Sequence, residues 1–274
     1  MLRTRLLVAG LFVAAAACSS SDTTTTGTAD AQITADVAMA AADAAAEDVD
    51  VMTTMDGSLS ASLSSTDFGS SYFATPPGEF RPGLTGCTFA GGSFTCPSTN
   101  HNGLTVVRVV TLFAAGGASQ TTFDPLLTAS IHIVADIAGD RTHGPWSATV
   151  SRHRDITITG LAGTETTRTV NGTGSENVTN SRATTNPRAY NIVGSSTVAN
   201  VVVPVRTSDG GNDWPLSGTI TRTFTVTVTA GGNAGQVTTR TVIITFNGTS
   251  SVTGTVNGTP FTIDLTAHTA MPRG

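Results

Sequence analysis

The stretch "TITRTFTVTVT", Thr219 to Thr229, alternates without interruption. Every odd position is Thr, and the even positions are Ile220, Arg222, Phe224, Val226 and Val228. A period of two sends alternate side chains to opposite faces of a strand. One face here is apolar and the other hydrated, the pattern of an antiparallel sheet with water on one side. The next segment, "TVIITFNGTSSVTGTVNGTPFTIDL" (Thr241 to Leu265), repeats the theme. It predicts three more strands joined at Asn247-Gly248 and Asn257-Gly258, because Asn-Gly accepts the positive φ of tight hairpin turns.

The same period reaches back to Ser58. Strands are expected near 104–113, 128–138, 146–161, 164–170, 184–193 and 195–203. Abundant Thr fits, since β-branched residues favour strands over helix interiors. "LTVVRVVTLF" (Leu104 to Phe113) is apolar in both phases, which predicts a cover on its second face. The fold class is therefore mainly β. A large antiparallel meander of about 10–12 strands, an open or half barrel or a sandwich, occupies residues 57–274 as a single domain.

Ahead of it lies "ITADVAMAAADAAAEDVDVMTTMDG", Ile33 to Gly57. Thr34 is a fitting N-cap and Gly57 a stop, so residues 34–56 are expected to form an amphipathic helix. Asp36, Asp43, Glu47 and Asp50 share a stripe that should be solvated. Val37, Ala41, Ala45, Met52 and Met55 face the other way, toward the sheet. Asp48 falls about 20° from Val37, on the apolar side. A carboxylate buried there needs a partner or a proton. Arg108 and Arg222 each take an apolar-face slot in a strand, so a buried ion pair of Asp48 with one of them would fix the helix on the sheet. The alternative is a hydrated Asp48 near a frayed helix end.

"CTFAGGSFTC", Cys87 to Cys96, is almost a palindrome about Gly91-Gly92. A two-residue Gly-Gly turn sets Cys87 opposite Cys96, at a separation suited to a disulfide. A disulfide implies an oxidising compartment. The third cysteine ends "MLRTRLLVAGLFVAAAACSSS". Arg3 and Arg5 precede an apolar run, Leu6 to Ala17, that is shorter than the ~20 residues of a spanning helix. This resembles a bacterial lipoprotein signal peptide, with Ala16-Ala17 before Cys18 and Ala15 where Leu is usual. The resemblance implies removal of residues 1–17, lipidation of Cys18, and, with Ser19 next, an exported protein anchored in the outer membrane. Residues 18–33, rich in Ser and Thr, read as a tether that could reach ~45 Å.

The charge is uneven. Of 19 acidic residues, 8 lie in 19–56, which holds no Arg; residues 57–274 hold 11, against 12 Arg, so the β domain is near neutral. There is no lysine, and no basic field for nucleic acid. No motif for a nucleophile, a phosphate loop or a metalloprotease occurs, so no catalytic residue and no cofactor are assigned. "SDGGND" (Ser208 to Asp213) lacks the spacing of a calcium loop. Trp146 and Trp214, each beside Pro, read as core plugs. His132 and His153 are weak metal candidates. Matching apolar faces sets Ile133 opposite Val150 and makes the two imidazoles diagonal neighbours, but no third ligand is near.

These readings lead to a lipid-anchored envelope protein without catalysis, structural or binding in role. One alternative is a carrier of a lipid or other apolar ligand in a half-open barrel, which resembles lipoprotein-carrier half-barrels in outline. The other is a glycan- or polymer-active hydrolase. Expected partners are the membrane, through the lipid, and an apolar small molecule or an envelope protein. A filled interior favours the first reading, a deep apolar cavity the second, and a cleft with paired carboxylates the third.

Overall fold

The computed structural model describes residues 23–54, 84, 86–101, 103–124, 126–162, 165–183, 186–205 and 214–273. Helix α1 spans Thr23–Thr54. Among the described residues thirteen strands follow: β1 (Thr88–Ala90), β2 (Ser93–His101), β3 (Leu104–Ala114), β4 (Ser119–Gln120), β5 (Thr128–His143), β6 (Trp146–Thr159), β7 (Thr167–Arg182), β8 (Arg188–Pro204), β9 (Ser217–Ala230), β10 (Val237–Thr245), β11 (Ser251–Val256), β12 (Thr259–Asp264) and β13 (Thr269–Pro272). They form one antiparallel sheet in chain order, apart from β4, which folds back on β3. Three short strands, β1, β4 and β13, take the number past the expected 10–12.

The sheet is a meander that curls without closing, and α1 packs on it. Alternation builds the two faces. Ile131, Ile133, Ile156, Ile158, Phe224, Val226, Val242 and Ile244 are all buried on the concave side, while His132, Thr157, Thr225 and Ile243 between them look outward. Bulges in the β7–β8 and β8–β9 ladders, at Val170/Gly172 and Ala199/Val202, bend the long strands. The helix lies in the concavity, and Ala38, Ala41, Ala42, Ala44 and Ala45 are wholly buried against the walls. Alanine suits this place, because larger side chains would hold the wall away from the helix axis. The stripe through Ala35, Met39, Asp43 and Glu47 keeps partial exposure, on the open side beside β13, and Asp30 and Ala31 are exposed.

Several expectations need correction. The helix begins at Thr23, inside the segment read as a tether, and Thr34 is within it rather than capping it. β7 continues to Arg182, and the two strands expected between 184 and 203 are one, β8, which carries Gly194 in its middle. The second face of β3 is uncovered: Val107 is 42% exposed. Ile133 pairs with Ile156 rather than Val150, because β5 runs on to His143 before turning at Gly144-Pro145. That slide of six residues (156 against 150) is even, so it preserves both faces and is invisible to an argument from apolar phase.

The turns follow their residues. Asn257 and Gly258 adopt φ of 47° and 84°. Asn247-Gly248 instead sits in a longer connection, where the Asn247 side chain accepts a hydrogen bond from the Thr249 amide. At Gly91-Gly92, φ is 60° and 89°, Phe89 faces Phe94, and Cys87 is bonded to Cys96.

Candidate functional site

Arginine appears repeatedly in the apolar phase of these strands. On β6 the inward positions are Val150, Arg152, Arg154, Ile156 and Ile158. Arg222 does the same on β9 and Arg240 on β10, and all four arginines are buried. A guanidinium is costly in such a place unless each edge meets an acceptor. The acceptors come from the acidic residues of α1 and from Glu176 on β7.

Together they form one alternating chain of charges across the concave face. Arg141 pairs with Asp43 and Glu47. Glu47 also holds Arg152. Arg152 Nε donates to Glu176 Oε2 at 3.1 Å, and Arg222 Nη1 donates to Glu176 Oε1 at 2.5 Å. Arg222 pairs through Nη2 with Asp48, whose other oxygen accepts from Arg154 Nε at 2.7 Å. Four carboxylates and four guanidiniums alternate, so the chain carries no net charge.

The electrostatics follow from burial and neighbours. Burial alone would raise Glu176, but Arg222, Arg152 and Arg154 hold it down to about 2. Burial pushes Glu47 up, and Arg152 only partly offsets it. Arg152 and Arg222 are raised: burial works against their charge, and the adjoining carboxylates more than restore it.

Gly174 gives the chain its room. It faces Arg154 on one side and Ser196 on the other. A Cβ there would lie 2.7 Å from Ser196 Oγ and 2.8 Å from Arg154 Nη1. Arg154 Nη1 uses the space to reach the carbonyls of His153 and Ser175, at 3.1 and 3.3 Å. Gly174→Ala should therefore cost about 1–3 kcal/mol through overpacking, read as a lowered midpoint in urea unfolding; an unchanged midpoint would mean that Arg154 and Ser196 move aside freely.

Nearer the helix N-terminus, Asp36 accepts from Arg188 Nε (2.5 Å) and Nη2 (2.8 Å), Tyr190 OH (2.6 Å) and Gln32 (3.1 Å). Burial and the Asp36 carboxylate push the Tyr190 hydroxyl up, so it remains a donor. Trp146 covers Arg188 at 5.1 Å and stands 6.1 Å from Tyr190, which makes it part of the core wall. Asp30 pairs with Arg240. The acidic stripe expected to be solvated is instead matched to arginines at Asp36, Asp43 and Glu47, because the sheet wraps the helix rather than lying under it.

On the outer face His132 and His153 do not meet. His132 Nε2 lies 2.7 Å from Asp155, and His153 Nδ1 lies 2.8 Å from Asp136, the residue opposite it. The register slide separates the imidazoles and gives each a carboxylate. Among the described residues no three metal-ligating side chains converge. A shallow depression of about 400 Å³ lies beside His153, with Val107, Asp136, Ser175, Asn177 and Val193 in its lining. A second, about 550 Å³, sits among Asp140, Thr149, Thr179 and Ser181. Both are open, and their linings also include members of the charge chain, Arg152 and Glu176 in the first and Arg141 in the second.

Cys18 lies outside the described residues, as does Ser208 to Asp213. Asp48 lies between Arg222 and Arg154. Arg108 is buried on β3, opposite Cys96 and Ala135, and burial lowers its pKa. Arg152, Arg154, Arg188, Arg240 and Glu176 were missed. The signal that singled out Arg108 and Arg222, a charge in the apolar phase, marks these five equally well.

No protein-family model, curated protein or solved structure matches this chain.

Proposed function

We propose that this is a lipid-anchored cell-envelope protein without catalysis, whose β domain serves a structural or binding role through its outer surface. The observation that carries the reading is the filled concavity. In a carrier that space would hold the apolar ligand; here α1 occupies it, and the charge chain ties the helix to strands on several sides. The Cys87–Cys96 disulfide supports export, since such bonds persist in oxidising compartments. The short apolar run ending at Cys18 supports the lipid anchor. Thr-rich outer strands and shallow depressions leave the outer face as the place where a partner would bind.

Two measurements test this. Detergent phase partitioning of the processed protein should place it in the detergent phase and Cys18→Ser in the aqueous phase; a variant that still partitions with detergent removes the anchor. Native mass spectrometry should give the chain with its acyl groups alone. A stoichiometric co-purified lipid beyond the anchor would revive the carrier.

A further inference from the structure

α1 enters the concavity from one end of the sheet, and its ion pairs show which. Asp36 meets Arg188, the first residue of β8. Asp30 meets Arg240, close to the start of β10. Asp43 and Glu47 meet Arg141, close to the end of β5. Asp48 meets Arg154 and Arg222 near the middle of their strands. The helix therefore starts beside the turns at 231–236 and 257–258, passes the 144–145 turn level with Asp43 and Glu47, and runs toward the opposite end. Val237 and Met271, 60% and 61% exposed, lie at the entry end. Leu126, just before β5 and 74% exposed, lies at the other.

Only four residues, Ser19 to Asp22, separate Cys18 from the first helical residue. That segment spans at most ~18 Å, and the helix from Thr23 to Asp30 adds ~10 Å. We infer that the sheet end carrying the 231–236 and 257–258 turns faces the lipid surface. On this geometry it stands within ~30 Å of the bilayer, with α1 as the stalk, and the Leu126 end points away. This orientation rests on the lipid anchor at Cys18 and adds to it. A tether extending to Gln32 would leave the domain free to present any face, whereas a helix that begins at Thr23 and is pinned inside the sheet does not. Strands of 14–17 residues, tilted as in curled sheets, place the far end ~35–40 Å further out.

Energy transfer from single-cysteine labels to headgroup-labelled lipids tests it, using full-length, processed protein in phosphatidylethanolamine–phosphatidylglycerol vesicles. With Cys18 acylated and Cys87 bonded to Cys96, a cysteine introduced at Val237→Cys or Leu126→Cys is the one reactive thiol. Transfer should be several-fold greater from position 237 than from 126. Vesicle-bound protein with equal transfer at both positions, or more at 126, overturns the orientation while leaving the anchor standing. Protein that does not join the vesicles at all overturns the anchor and the orientation with it.

Discussion

Asp48→Ala should lower the unfolding free energy by about 3–5 kcal/mol, the usual cost of removing one partner from a buried ion pair. Asp48 lies between Arg154 and Arg222, and Arg222 has no exposed surface. Without the carboxylate, two desolvated guanidiniums face each other with only Glu176 left to answer Arg222. A double-mutant cycle with Arg222→Leu, read by urea unfolding, isolates the interaction. The double variant should be more stable than the sum of the singles predicts, by about 1–3 kcal/mol, since an apolar replacement of a whole pair is far cheaper than half of one. Single costs below ~0.5 kcal/mol that simply add would mean that water, not the pair, solvates these groups.

The chain of charges has a physical reason to be arginine and carboxylate. Each guanidinium presents donors on separate edges, so Arg152 reaches Glu47 with one nitrogen and Glu176 with another. Lysine, a compact point charge on a flexible stem, cannot span two acids in a fixed plane. The helix also needs it. An alanine face packs nearly as well one turn along, so apolar contact distinguishes registers weakly. The carboxylates do so strongly, because Asp36, Asp43, Glu47 and Asp48 each have a matched place on the sheet.

The β meander was legible because alternation is a local signal: the Thr219–Thr229 phase identifies which side chains of β9 face inward without knowledge of any other strand. The buried charge at Asp48 was legible for the same reason, as a residue out of phase with its own element. What escaped was relational. A six-residue slide between β5 and β6 leaves every face unchanged, so nothing local distinguishes it, yet it decides whether His132 meets His153 or Asp155. The helix stripe of Asp36, Asp43 and Glu47 reads as solvated while the helix is pictured on a flat sheet. Asp36 becomes buried and Asp43 and Glu47 mostly covered once the sheet curls; the bulges that bend the strands fall at Asn171-Gly172 and at Asn200, residues suited to a turn, and nothing local tells a bulge from a hairpin there. The helix start was missed because "TTTTGTADAQ" has neither strong helix formers nor an apolar stripe ahead of Ile33.

Acid should unfold this protein through Glu176. Its ordinary carboxyl value of 4.5 falls to about 2 in the fold, where Arg222, Arg152 and Arg154 overcome the effect of burial. A depressed carboxylate adds stability above its unfolded value and loses that contribution as pH falls through its folded value. The window is therefore pH 4.5 down to about 2. The size of the shift corresponds to about 3 kcal/mol. Glu47, which burial raises, has the opposite sign: it favours the fold at low pH and loses that contribution as pH rises through its folded value. A decline below pH 4.5 thus belongs to Glu176 and not to Glu47. In Glu176→Gln, urea midpoints followed by tryptophan fluorescence should be lower at neutral pH and nearly flat between pH 4.5 and 2, while the unaltered protein loses stability steadily across that range. The two curves should converge near pH 2, where Glu176 is itself half protonated and its extra stability is almost gone. Parallel curves would place the acid sensitivity on other carboxylates. Because Glu176 is the only acid that the sheet itself contributes to the chain, its protonation leaves Arg152 and Arg222 dependent on α1 alone, so the helix and the sheet should come apart together as a single acid transition.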